Sequence, residues 1–162
     1  MPPRIVQGDV TRLPELEPLW GGLHAHHSQL RPPGIPVRAV DRSWSVRRTQ
    51  YERWLAEGGN ALLLAEDDGG GVVGYAMVTI AEGDMATWDV GPPVAELETL
   101  AVLPAARGAG IGTALTDAAA AFARERGARA LLVSVLHTNA NAIRFYERED
   151  FEPFYVQHLR RL

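Results

Sequence analysis

Apolar positions along the chain fall into strand-length runs and helical repeats that alternate. Arg4–Gln7 reads as a short first strand, and Thr11 with Pro14 and Glu15 starts a helix that carries Leu16, Leu19, Trp20, Leu23 and Ala25. Pro32, Pro33, Pro36 and Gly34 stiffen a loop over residues 28–42. A second helix is expected over Ser43–Glu57, with Trp44, Arg48, Tyr51 and Leu55 on one side and Gly58-Gly59 as its stop. Ala61–Glu66 and Val72–Ala81 are apolar strands around Asp67-Asp68-Gly69-Gly70-Gly71, a hairpin turn. A strand over Val94–Val102 stops before Pro104, which has no N–H for a ladder. Ile111, Ala114, Leu115, Ala118, Ala119, Phe122 and Ala123 then recur at helical spacing up to Gly127. Ala128–Val135 is expected as a buried strand, Asn139–Arg148 as a short helix and Phe154–Leu159 as a last strand. The alternation makes the fold α/β, and periodicity alone goes no further.

Composition narrows the function. A chain of 162 residues is most simply one domain, residues 1–162, with a core of its own. No apolar run reaches the length of a membrane span and Met1-Pro2-Pro3-Arg4 opens without a signal-peptide core, so a cytoplasmic protein with no membrane partner is expected. A net charge of −4 argues against a nucleic-acid partner. All 16 basic residues are Arg, which removes any lysine nucleophile. The absence of Cys excludes disulfides, thiolate metal ligands and a cysteine acyl-enzyme. His24, His26 and His27 cluster near the end of the first helix. His24 and His27 share a face but His26 does not, and no carboxylate follows at ligand spacing; favourable charge at a helix C-terminus is expected here, and no metal.

The stretch from Glu96 to Thr113 runs strand, glycine turn, helix. That order makes an anion site, because the N–H groups of a first helical turn have no partners within the helix and the dipole adds positive charge there. Gly108, Ala109, Gly110, Ile111 and Gly112 supply the backbone, while Arg107 and the Thr113 hydroxyl add donors; a pyrophosphate would fit, and so would a plain packing turn. No Gly-Lys-Ser/Thr ending follows, so the turn is not a P-loop. The G-x-G-x-G spacing late in the chain is not the dinucleotide fingerprint either.

Arg107-x-x-Gly110-x-Gly112 after a strand resembles the acetyl-CoA signature of the GNAT superfamily of N-acetyltransferases. A second block, Asn139-Ala140-Asn141-Ala142-Ile143-Arg144-Phe145-Tyr146-Glu147, followed by Phe151, is similar to that superfamily's later motif. The resemblance covers residues 62–151 and is loose before them. It implies a central, strongly bent, mixed and mostly antiparallel sheet flanked by about four helices, with acetyl-CoA as acetyl donor. It also places the first two helices and their loop over the acceptor, which makes Trp44, Tyr51 and Trp54 candidate contacts; as plain sequence they are core residues. Backbone groups of Leu100, Ala101 and Val102 would pair with the pantetheine, Asn139 would hydrogen-bond it, and Tyr146 would protonate the CoA sulfur. The family's glycine before the final Phe is Asp150 here. Ser134 stands where the ribosomal-protein-acetylating branch usually has its base.

Attack of an amine on a thioester needs a base for the ammonium, donors for the oxyanion and an acid for the thiolate. Glu96 and Glu98 are the candidate bases, since residues two apart on a strand face the same way; matching Arg107 to the signature puts Glu96 on the base of the histone-acetylating branch. The expected reaction is acetyl transfer to a primary amine of a small molecule. The alternatives are a peptide or protein N-terminus as acceptor, or an acyl-CoA-binding module without catalysis, and a homodimer is left open. A cationic acceptor is expected from Glu96, Glu98, Asp84 and Asp89.

Overall fold

The computed structural model describes residues 3–162. One sheet carries five strands in the order β1 (Arg4–Gly8), β2 (Ala61–Glu66), β3 (Val72–Ala81), β4 (Val94–Val102) and β5 (Leu131–Val133). Every pairing is antiparallel except β4 with β5, so the sheet is mixed as expected. Helices α1 (Glu17–Leu30) and α2 (Val40–Glu57) cover one face, and α3 (Ile111–Glu125) covers the other. The fourth helix, α4 (Ala140–Arg148), lies against the start of α3, where a Cβ on Gly112 would come within 3.2 Å of Phe145.

The continuous apolar run of β2 follows from burial on both faces. Leu62 and Leu64 join Leu13, Leu16, Trp44 and Tyr51 under α1 and α2, whereas Ala61, Leu63 and Ala65 meet Leu115, Ala119 and Phe122 of α3. Truncating a fully buried leucine such as Leu115 to Ala would cost about 2–5 kcal/mol. Gly74 lets α3 sit close, since a Cβ there would meet Ile111 and the Ala101 carbonyl at 3.0 and 3.1 Å. Glu66, buried at the end of β2, accepts from both Arg4 and Arg12, and these bonds, Arg4 first, hold its carboxyl below the usual range. That stabilisation is present above the ordinary carboxylate range and is lost as pH falls through the lowered value.

One irregularity shapes β4. Met77 pairs with Thr99 and Val78 with Leu97, which leaves Glu98 as an extra residue. Leu97, Leu100 and Val102 accordingly all pack toward α3, while Ala101 packs under α1 and α2. A bulge of this kind turns the strand's alternation over by one residue. Glu96 and Glu98, opposite Leu97, therefore share the α1 and α2 side.

Several elements differ from the sequence reading. The first helix begins as a 3-10 segment over Val10–Leu16 whose cap is Asp9, accepting from the Thr11 N–H at 2.8 Å, so Thr11 does not start it. Helix α2 starts at Val40, and Ser43 lies inside it, bonded from Trp20 Nε1 at 3.1 Å. β5 spans only Leu131–Val133 of the expected 128–135, because its parallel ladder with β4 ends at the Leu97–Val133 pair. No strand forms over Phe154–Leu159, since a three-residue edge offers few ladder bonds. The segment is instead pinned by side chains: Trp88 Nε1 donates to the Tyr155 hydroxyl at 3.1 Å, and Arg161 donates to the Gly34 carbonyl at 2.6 Å.

Candidate active site

Where the β4–β5 ladder stops, the two strands part and a groove of about 900 Å³ opens between them. Residues 97–103 of β4 and its exit line one wall, residues 133–136 the other, and α1 residues such as Leu19, Leu23, His26 and His27 roof one side. β4 pairs with β3 on one edge through Val102, while β5 pairs with its other edge only as far as Leu97. Backbone N–H and C=O groups from Glu98 onward on that second edge are thus left for a ligand. Leu100, Ala101 and Val102, expected as backbone contacts, all line the groove.

At the end of β4 the chain makes a short 3-10 turn over Pro104–Ala106 and then the glycine turn. Gly108 and Gly110 have φ of +81° and +76°, a left-handed backbone that side chains rarely adopt. Gly110 is the N-cap of α3 and has no side chain to satisfy the first N–H groups of the helix, so these face outward as anion donors. Arg107, Gly108, Gly110, Ile111, Gly112 and Thr113 line the groove; Ala109 does not. Two expected donors are engaged within the protein. Thr113 Oγ1 donates to Glu149 at 2.8 Å, and Arg107 Nε to the Val102 carbonyl at 3.3 Å.

Helix α4 forms the remaining side. Asn139 caps it by accepting from the Ala142 N–H at 3.1 Å, and the buried Asn139 side chain also reaches the groove. At the other end Asp150 takes φ of +62°, and the Phe151 N–H reaches back to the Tyr146 carbonyl at 2.9 Å. This is a Schellman closure, with Asp150 where glycine is preferred. It sets Phe151 against Tyr146, ring centroids 5.3 Å apart, while Phe145 packs at 5.1 Å. Burial between these rings pushes the Tyr146 phenol up to about 12, so it is protonated throughout the neutral range. Tyr146 lines the groove.

The two glutamates differ in place. Glu98 lines the groove and accepts from Thr79 Oγ1 at 2.7 Å. Glu96 lies outside the lining, with Ser134 Oγ at 3.5 Å; burial, then the neighbouring Glu98, raises its proton affinity above that of an ordinary glutamate. Asp84 and Asp89 do not line the groove, and Asp89 is paired with Arg129 at 2.5 Å, so neither supports the expected cation-attracting rim. Trp44 and Tyr51 are core residues, with Tyr51 bonded to Thr99 at 2.6 Å and to Tyr75 at 3.1 Å.

The histidines also depart from expectation. His27 lies in the last turn of α1, which ends at Leu30, as expected, but burial, with His26 and Arg47 nearby, pushes its pKa down and so disfavours the charge expected there. His26 and His27 instead roof the groove, as do Arg31, Pro32 and Ile35. The resemblance had placed the first helix and its loop over the acceptor side, but it named none of these roof residues, and sequence reasoning missed Gln157. The amphipathic α1 pattern contained the signal for the individual roof residues on that helix, but nothing in the chain before residue 150 marks Gln157.

The groove thus has an uncapped helix start at one end, a strand edge without a ladder partner along it, and the protonated Tyr146 phenol with Glu98 in its lining. The Acetyltransferase (GNAT) family model matches residues 25–151, and the chain belongs to that family, whose acetyl donor is acetyl-CoA. A mycothiol acetyltransferase of Propionibacterium freudenreichii subsp. shermanii is 33% identical over 116 residues, which is 72% of this chain and 35% of that one. The chain thus spans about a third of the length of the curated relatives it matches. Among solved structures, the BH1408 protein from Bacillus halodurans, a tetramutant, superposes with a TM-score of 0.82 at 16% identity over 98% of this chain and 99% of that one. The aminoglycoside N-acetyltransferase AAC(6')-Iy in complex with CoA superposes with a TM-score of 0.73 at 23% identity over 98% and 93%. Both share the fold. No helix among the described residues is long and apolar enough to cross a membrane.

Proposed function

We propose that the chain transfers acetyl from acetyl-CoA directly to a primary amine of a small molecule. The observation that carries this reading is that the glycine turn, Tyr146 and Glu98 line one continuous groove. In it the pyrophosphate meets the N–H groups at Gly110–Thr113, and the pantetheine runs along the open β4 edge with Asn139 beside it. Glu96, with its raised proton affinity, removes the ammonium proton. Because Glu98 and not Glu96 lines the groove, that proton travels through a bridging water.

The amine nitrogen then attacks the thioester carbon, and N–H groups of the β4 edge receive the oxyanion. The C–S bond breaks as Tyr146 gives its hydroxyl proton to the departing sulfur, and the proton still carried by the attacking nitrogen passes through water to the Tyr146 oxygen, leaving a neutral amide, free CoA and the phenol restored. Direct transfer fits a chain without cysteine. A small-molecule acceptor is supported by a relative named for mycothiol and a fold neighbour named for aminoglycosides.

The test is acetyl-CoA turnover across small amines, aminoglycosides, polyamines, amino acids and short peptides, read as thiol release; the protein adds no thiol background. A cationic small amine is expected to be the best acceptor. Peptides outperforming every small amine would move the reading to a peptide N-terminus, and donor binding without turnover on any acceptor would leave a binding module.

A further inference from the structure

Glu98 is the residue that the bulge leaves without a ladder partner, and an unpaired residue in a strand has looser backbone constraints than its neighbours. Its side chain is held all the same. Thr79 sits opposite Glu96 in the β3–β4 ladder, yet its hydroxyl reaches past that partner to Glu98 Oε1 at 2.7 Å. On the other side of the bulge, Thr99 is bonded from the buried Tyr51, which ties that backbone to α2. The Glu98 side chain is therefore held through Oε1 by Thr79, beside a neighbour tied to α2, and Glu98 itself lines the groove.

We propose that Thr79 is a positioning residue that fixes the Glu98 carboxylate as the seat for the acceptor's ammonium group, leaving Glu96 as the proton acceptor. This rests on the amine-acetylation reading above. A free glutamate side chain loses rotamer freedom when it binds a cation, and a hydroxyl already bonded to it removes part of that loss beforehand. Threonine suits the task because a β-branched side chain is stiff about its first torsion in a strand. A bond to a charged acceptor is also stronger than a neutral one.

The test is calorimetric titration of the full chain, saturated with CoA, with 1,4-diaminobutane as the ammonium probe. Thr79→Val, nearly isosteric, is expected to weaken diamine binding about 10-fold while CoA affinity stays as in the wild type. Thr79→Ser is expected to restore binding. Glu98→Gln should weaken it at least as much, and adding Thr79→Val to Glu98→Gln should cost nothing further, because both act through one carboxylate. In turnover, the acceptor KM should rise by the same factor with kcat within about twofold.

Equal diamine affinity in Thr79→Val, failure of serine to rescue, full additivity of the two losses, or no diamine binding to the wild-type complex each overturns the proposal. If the binding contrasts hold while no amine is acetylated, the ammonium seat stands and the acetylation reading fails.

Discussion

The glycine-turn end of the groove is made by one stretch of chain, residues 97–113, closed by α4, whereas the lining residues Arg31, Pro32, Ile35, Leu136 and Gln157 sit on segments tied to one another, outside the groove itself, by contacts between parts far apart in sequence. Thr138 bonds to the Leu30 carbonyl 108 residues away, Trp88 to Tyr155 at a separation of 67, and Arg161 to Gly34 at 127. The glycine-turn end, the donor site on the proposed reading, depends on backbone geometry: two left-handed glycines, an uncapped helix start and a strand edge. The other end, where the acceptor would enter on the proposed reading, depends on which side chains long-range contacts bring near it. A donor common to many enzymes can be recognised by local backbone, while the part that selects an acceptor is free to vary.

The hardest break of this contrast is Gly110→Val. No protein atom crowds a Cβ there, so the damage comes from the left-handed φ and, on the proposed reading, from a side chain standing where the pyrophosphate would approach. Acetyl-CoA at 100 times its wild-type Kd should stabilise the wild type by about 2.7 kcal/mol and the variant by almost nothing, read as a shift in Tm. An equal shift would remove the turn from the donor site.

Tyr146→Phe should lower kcat on the order of 10- to 1000-fold with acetyl-CoA affinity nearly intact. Because burial pushes the phenol up to about 12, Tyr146 should put no basic limb on the kcat profile below about pH 11. A basic limb near neutrality that disappears in Tyr146→Phe would contradict that environment.

Glu96→Gln should depress turnover most above the Glu96 pKa, where the wild-type carboxylate is ionised and the amine still arrives protonated, and least at low pH, where the wild type has lost its base as well. The wild-type acidic limb should lie above the ordinary carboxylate range, since burial and Glu98 raise the Glu96 pKa, and the variant should lose it. An unchanged limb would assign it to another group.

The smallest effect, and the one that probes the long-range contacts, is Trp88→Ala. Trp88 does not line the groove, but loss of its bond to Tyr155 and of its edge contact with Phe154 should loosen the tail that carries Gln157 into the lining and, on the proposed reading, raise the acceptor KM by roughly threefold while leaving acetyl-CoA affinity alone. A matching loss of donor affinity would show that the two ends are not independent.

Legibility in the sequence follows the same division. β2, β3 and β4 match their sequence boundaries because hairpin glycines and Pro104 punctuate them, and Asn139 marks the start of α4 by capping it. The bulge at Glu98 was hidden, because an extra residue in one strand shows only against its partner's register. It still left Glu96 and Glu98 on one side. The C-terminal segment misled because its apolar residues look like a strand, and whether they form one depends on the length of the neighbouring edge. His27 misled because its charge is set by burial against elements distant in the chain. Asp150, by contrast, was visible as a departure, and it is the only non-glycine residue with positive φ among those described.

The unpaired side of β4 beyond Leu97 is a sheet edge inside the molecule. Edges of this kind invite another strand. On the proposed reading, the extended arm of the donor takes that place and completes a ladder the polypeptide leaves unfinished. Amide protons there that face the groove should then exchange quickly with solvent water in the free protein and slowly in the complex, while those bonded to β3 stay slow in both. The cooperative unit of the sheet would thus include a piece of the substrate, and the rigidity of the catalytic wall would belong to the complex and not to the chain alone.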